Sequence, residues 1–255
     1  MTRDWWNKEF RTLVTLGASM TAGGWASSPD RCWARLLTGM INDVQRVPMQ
    51  LINVGIGANV ISTKSPMYPH SGRPAASERL EKHVIAHNPD LLTIDNALTD
   101  VLGGTPVDLF CSELQDVILR VRRHIQPLIL LLSPYYICDF KREGGPWRHA
   151  TPESLRRFAD AIEELARQTD CLYVDVLSIY HEADWLVHHD GVHANDLGHR
   201  VIANAVFNVL AAHCSGLALE TKELEKHIPP WRDETSLQQD ALRCPKDSLE
   251  TPSGG

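Results

Sequence analysis

The stretch LVTLGASMTAGG, residues 13–24, sets an apolar, β-prone run directly against a turn of small residues that holds a serine. Unbroken rather than alternating hydrophobicity is what a strand covered on both faces requires. A side chain just past such a strand stands where open parallel sheets bind their ligands, outside the carboxyl ends of the strands. Two questions turn on this stretch: whether the rest of the chain builds a parallel sheet, and whether Ser19 is a nucleophile or only a hydroxyl in a turn.

Working outward, TLVTLG (12–17), QLINVGI (50–56), DLLTID (90–95), PLILLLS (127–133) and LYVDVLS (172–178) predict five buried strands. Between them, residues 31–44, 75–87, 107–125 and 151–168 carry helical spacing. In the last of these Leu155, Phe158, Ile162 and Leu165 share a face, and Thr151 with Glu153 and Ser154 marks a helix start. A final helix over 196–213 is expected to bury a stripe of Leu197, Val201, Ala205, Val209 and Ala212. Strand–helix alternation of this kind predicts an α/β domain whose parallel sheet is wrapped on both faces by right-handed crossovers. GAS, GIGAN and NALTD then follow the first three strands at the same end of the sheet.

A chain of 255 residues with 43% hydrophobic content can bury a sizeable core, and its formal net charge of −7 argues against nucleic acid as the main partner. The longest apolar run, PLILLLSPYYI, is strand-sized and contains prolines, so no membrane span is predicted. The N-terminal lead MTRDWWNKEF (1–10) lacks a signal-peptide core, and the six cysteines, at 32, 111, 138, 171, 214 and 244, form no CxxC pair. Reduced thiols and a soluble, cytoplasmic protein are the expectation. After a main domain over 11–219, residues 220–255 turn polar and Pro-containing, a tail expected to be partly disordered with Ile228 and Trp231 as anchors.

A serine nucleophile needs a base within hydrogen-bond reach, a group to orient that base, and donors for the developing oxyanion. Of the twelve histidines, His83, His87 and His124 fall on amphipathic helices, where a solvated or partly buried ring is the ordinary reading. HHDGVHANDLGH (188–199) differs: Asp190 and His193 stand three apart in a Gly-containing loop that leads into the last helix. That spacing can bring a carboxylate to one imidazole nitrogen while the other faces a cleft, with Asn195 or Asp196 as helix cap. A polar capping loop without catalytic duty has the same composition.

The ordered set of these motifs resembles the SGNH (GDSL-type) serine hydrolases across residues 12–210. GASMTAG matches the block that normally reads Gly-Asp-Ser, NVGIGAN the second block, ALTDVLGGTP the third, and DGVH the last. The resemblance implies a three-layer α/β/α flavodoxin-like sandwich with a five-stranded parallel sheet. It further implies Ser19 as nucleophile, His193 as general base and Asp190 as its orienting acid. The backbone N–H groups of Ser19 and Ala58 would be two arms of an oxyanion hole, with Thr99 at the position of the third. A small-molecule ester substrate is implied, and no metal or organic cofactor; oligomeric state is left open.

Four positions depart from the family pattern. Ala18 replaces an aspartate, and Ala58 and Ala97 replace glycines, which strains the chain wherever φ is positive. Thr99 replaces the asparagine whose side chain completes the oxyanion hole, on a shorter arm; Asn96 lies three residues earlier in another register. These changes keep open a catalytically weakened or silent relative that binds a ligand or partner. His188, His189, Asp190 and His193 have the composition of a zinc site, against which adjacent histidines in an extended loop are expected to point apart. GASMTAGG lacks the Gly-Lys-Ser/Thr ending of a phosphate loop. Two long loops, 62–79 with Met67, Tyr68, His70 and Arg73, and 135–152 with Trp147 and Arg148, are expected to rim the cleft.

Overall fold

The computed structural model describes residues 3–140 and 145–227, with residues 234, 235, 238 and 239. The chain divides into two compact units, Met1–Glu220 and Thr221–Gly255, and the architecture below belongs to the first. Ile228, Trp231 and Cys244 lie outside the described residues.

Five strands form one parallel sheet: β1 (Thr12–Gly17), β2 (Gln50–Asn53), β3 (Leu91–Asp95), β4 (Leu128–Leu132) and β5 (Leu172–Val174), in the order β2-β1-β3-β4-β5. Every residue of β3 and β4 is buried, and β1 is buried from Leu13 on, the signature of strands covered on both faces. Edge strand β2 is only half-buried. The connections leave β1 toward β2 on one side and return to β3 on the other, so the chain reverses direction between β1 and β3. That switch point is where an α/β sheet of this order opens a crevice, and Ser19 and Thr99 lie just past the two strands that flank it.

The helices that flank the sheet are α1 (Ser19–Ala22), α2 (Trp33–Asn42), α3 (Leu80–His83), α4 (Ala97–Leu102), α5 (Val107–Arg122), α6 (Pro152–Gln168) and α7 (Asp196–His213), and a short helix Leu219–Leu224 follows them. α2 packs on α7, and α5 on α6. Residues 152–168 fold as expected: Leu155, Phe158, Ile162 and Leu165 are buried, and the Thr151 hydroxyl accepts the Ser154 N–H at 3.0 Å. The strands stop short of their apolar runs for local reasons. The Asn53 side chain accepts the Gly55 N–H, and Asp175 accepts those of Leu177 and Ser178, side-chain turns that compete with ladder bonds.

Two expectations need correction. The helix over 75–87 is broken into a 3₁₀ turn at Ala76–Glu78, α3 and a second 3₁₀ turn at Ile85–His87. The N–H groups of Ala76 and Ser77 go to the carbonyls of Val60 and Ile61, and the Arg79 side chain turns into the protein. In α7 the buried face is His199, Ile202, Ala203, Val206 and Leu210, one position on from the expected stripe, and Leu197 is 53% exposed. Arg200, Asn204 and Asn208 form an exposed stripe, and the polar bonds of His199 fix the buried face opposite it. The five described cysteines are free, with Cys32, Cys171 and Cys214 buried and Cys138 exposed. Among the described residues no single helix is long and apolar enough to cross a membrane.

Candidate active site

Ser19 opens α1 immediately after β1. The turn is tight because glycine lets neighbouring chain approach: a Cβ on Gly55, past the end of β2, would lie 2.2 Å from the Ala22 nitrogen. Ser19 Oγ is 2.8 Å from His193 Nε2, and His193 Nδ1 is 2.6 Å from Asp190 Oδ2. Side chains 174 positions apart in sequence thus form one hydrogen-bonded chain.

The loop behind His193 is organised by Asp190 itself. Its Oδ1 accepts the N–H groups of Val192 and His193, each at 3.0 Å. Gly191 takes φ +74, and a Cβ there would meet Asp139 Cβ at 2.4 Å; its carbonyl accepts N–H groups from Cys138 and Asp139. Burial pushes the Asp190 carboxyl up, but the backbone N–H groups of His193 and Val192, with the His193 ring, outweigh it and hold the group below the usual carboxylate range. An ionised Asp190 only accepts. The Nδ1 of His193 therefore carries its proton, and Nε2 is left to accept the Ser19 hydroxyl.

The other face of His193 is covered by Trp25, with ring centroids 3.5 Å apart and planes within 8°. Trp25 sits at φ +64, a conformation a bulky residue adopts only when its surroundings impose it. The imposing contacts come from α7. Asp196 accepts the Ser27 N–H and hydroxyl at 2.7 and 2.6 Å, while Asn195 is the residue that caps the helix. Buried His199 is 3.2 Å from the Gly24 carbonyl through Nε2 and accepts the Trp33 N–H through Nδ1. Burial lowers the pKa of His199, and a neutral ring with its proton on Nε2 satisfies both bonds. No feature of the sequence motif singled out Trp25 or His199; the Gly-His step inside a helix start was the available signal.

The side of Ser19 away from His193 is assembled differently. Ala58 has φ +54, so the alanine replacing glycine there does occupy the left-handed region, whereas Ala97 does not. Neither the Ser19 nor the Ala58 N–H has a hydrogen-bond acceptor among the described residues. Thr99 lies buried in α4, and its hydroxyl likewise makes no hydrogen bond among them. Asn96 does not substitute for the missing amide: its Nδ2 is directed to Asn59, 3.2 Å from the side-chain oxygen. Asp100, next to Thr99, accepts the Ile61 N–H at 2.8 Å and the Thr105 hydroxyl at 2.8 Å, tying α4 to the 58–61 turn. Asp95, at the end of β3, accepts Thr21 of α1 at 2.5 Å and Tyr135 at 2.7 Å. Burial pushes both carboxyls up to about 7, against the hydrogen bonds that stabilise their charged forms.

Residues 15–201 match the GDSL-like lipase/acylhydrolase family. The chain belongs to it. Membership places the protein among carboxylic ester hydrolases. No curated protein sequence matches the chain. Among solved structures, Axe2, an acetylxylan esterase from Geobacillus stearothermophilus, aligns at TM-score 0.61 and 19% identity, over 80% of this chain and 95% of its own. The lipase/acylhydrolase from Enterococcus faecalis aligns at TM-score 0.63 and 19% identity, over 79% and 96%. Catalytic mutants of Axe2, each with a serine, an aspartate or a histidine changed to alanine, share this fold.

The expected rim loops do meet. Buried Met67 packs with Val60 and Ala75, and Tyr68 and Trp147 pack on that cluster. Arg73, however, is turned into its own loop: it donates to the carbonyls of Tyr68 and Pro69 and lies 4.9 Å over the Tyr68 ring. Contrary to expectation, His188 and His189 do not point apart; their ring centroids are 4.0 Å from each other. Even so, no group of three or more His, Cys, Asp or Glu is placed to hold a metal ion among the described residues.

Proposed function

We propose that the protein hydrolyses small carboxylic esters through an acyl-serine intermediate, with Ser19, His193 and Asp190 as its triad. The observation that carries this reading is the continuous Ser19–His193–Asp190 chain at 2.8 and 2.6 Å, with its tautomer fixed by an ionised Asp190. Ser19 Oγ attacks the ester carbonyl as its proton passes to His193 Nε2. The N–H groups of Ser19 and Ala58 donate to the tetrahedral oxyanion, Thr99 standing where a third donor would be. His193 then protonates the departing alcohol, and water repeats the sequence on the acyl-serine. Trp25 lies flat on the ring that becomes cationic, a contact worth about 0.5–2 kcal/mol to an imidazolium. The resemblance in fold to an acetylxylan esterase and to a lipase/acylhydrolase supports an acyl or acetyl ester as substrate.

Thr99 favours a second reading, a weakened or silent hydrolase fold that binds a ligand at the same cleft. Losing one oxyanion donor costs about 10²–10³ in rate, which slows an esterase without erasing it. Hydrolysis of p-nitrophenyl acetate and butyrate by the wild type beside Ser19→Ala separates the two. Turnover that disappears in the variant supports the esterase; equal background rates in both would leave the binding module.

A further inference from the structure

The strongest unexplained group outside the triad is Arg79. Its side chain is almost wholly buried, and no carboxylate pairs with it among the described residues. Its guanidinium donates to the carbonyl of Val54, to the carbonyl of Gly17 at 3.3 Å and to the side-chain oxygen of Asn59 at 3.0 Å. Nε is buried without a partner among the described residues. A buried cation paired only with neutral acceptors is costly. Burial pushes Arg79 down to about 10, which still leaves it charged at neutral pH.

What the three acceptors share is their place in the chain. Gly17 stands two residues before Ser19, and its carbonyl also accepts the Ile56 N–H at 3.1 Å. Val54 opens the turn that carries Ala58, and Asn59 directly follows Ala58. Asn59 in turn donates to the carbonyls of Gly72 and Pro74, closing the turn from its far side. One guanidinium therefore clamps the two backbone segments that carry the Ser19 and Ala58 N–H groups, the pair assigned to the oxyanion in the ester-hydrolase reading. It does so in a chain where the third donor has shrunk from asparagine to Thr99. A fixed positive charge in a low-dielectric site acts on charge that develops there, and more strongly than it would in water.

We propose that Arg79 is a positioning residue of the anion site, locking the Ser19 and Ala58 N–H groups in register and supplying positive charge that offsets the altered third arm. This rests on the ester-hydrolase reading of the same site. It is tested by comparing wild type, Ser19→Ala, Arg79→Gln and Arg79→Lys for kcat, KM, Tm and the affinity of a boronic acid, which adds to the serine as a tetrahedral anion. Arg79→Gln should lower kcat about tenfold to hundredfold with KM within about twofold, and weaken the boronate in proportion. Arg79→Lys, keeping the charge but too short to reach all three acceptors, should lose less than tenfold. In a Thr99→Asn background the loss from Arg79→Gln should shrink.

An Arg79→Gln enzyme with wild-type kcat and an altered Tm would overturn the proposal and leave Arg79 a purely structural residue. So would an Arg79→Lys enzyme as impaired as Arg79→Gln, since charge would then contribute nothing. Should Arg79→Gln fail to fold, Arg79→Lys decides: a kcat reduced with KM unmoved supports the clamp, and a wild-type kcat sinks it. A wild type no faster than Ser19→Ala would remove the hydrolase reading and this proposal together, whereas a fast wild type matched by Arg79→Gln removes this proposal alone.

Discussion

The two sides of Ser19 are built on opposite plans. On the His193 side a single short loop does the positioning: Asp190 binds the N–H groups of residues two and three positions on, and its carboxylate is held ionised. On the other side most of the support comes from distant parts of the chain. The Ala58 turn is held by Arg79 and, from α4, by its cap Asn96 and by Asp100, and the nucleophile helix by Asp95 from β3. There the carboxyls are buried and pushed up toward neutrality, and buried Arg79 has no carboxylate partner among the described residues. A local device tolerates little change in the residues that form it; a distributed one can absorb a substitution such as Thr99 through its other supports.

The comparison breaks most decisively at the nucleophile and base. Ser19→Ala and His193→Ala should each lower kcat by at least about 10⁴-fold, and the double variant should be no worse than either alone, because the pair acts as a unit. Steady-state hydrolysis of p-nitrophenyl esters measures this, and an additive double variant would argue that the two side chains do not work together. Next in size comes the distributed side. Thr99→Asn should raise kcat by up to about 10²–10³-fold, the reverse of deleting one oxyanion donor. An unchanged rate would mean that the remaining supports already complete the site without a third arm.

Which side could be read from sequence follows from the same contrast. Asp190 and His193 were legible because an orienting bond three residues long leaves a fixed spacing in the chain. β1, β3 and β4 were legible because a doubly covered strand must be apolar throughout. The positive φ of Ala58 was foreseeable from a glycine replaced in a turn. Arg79 was not, since it sits in an amphipathic run where an arginine ordinarily faces solvent, and only the break of that helix turns it inward. Nor was Trp25: its position over His193 is set by Asp196 and His199, far off in α7. The buried face of α7 was misplaced for a related reason, because His199 points inward to bond Gly24 and Trp33.

Trp25 tests whether the His193 side depends on anything outside its loop. Trp25→Ala removes the stacked face while leaving the Asp190 and Ser19 bonds intact, so kcat should fall about threefold to tenfold, the range expected from losing a partly exposed cation–π contact. The loss should appear in kcat rather than KM if Trp25 serves the imidazolium; a KM effect alone would reassign it to substrate contact.

The smallest effect separates the two carboxyl regimes by their response to pH. Asp95 and Asp100 have folded values of about 7, above the ordinary aspartate value of about 3.9. Across that window the folded chain binds more protons than the unfolded one, so their contribution is fully present below about pH 4 and declines as the pH rises toward 7. Asp190 has the opposite sign: its folded value is lowered, and its contribution is present above the unfolded value and lost as the pH falls through the folded one. Calorimetric Tm from pH 4 to 7.5 reads both. Relative to wild type, Asp95→Asn should improve steadily as the pH rises, because a fixed neutral amide no longer has to lose a proton in the core. Asp190→Asn should show its largest deficit at neutral pH and recover toward acid. Curves that run parallel to the wild type for Asp95→Asn would mean that the Thr21 and Tyr135 hydroxyls already hold the carboxylate ionised, and the two sides of Ser19 would then share one electrostatic plan.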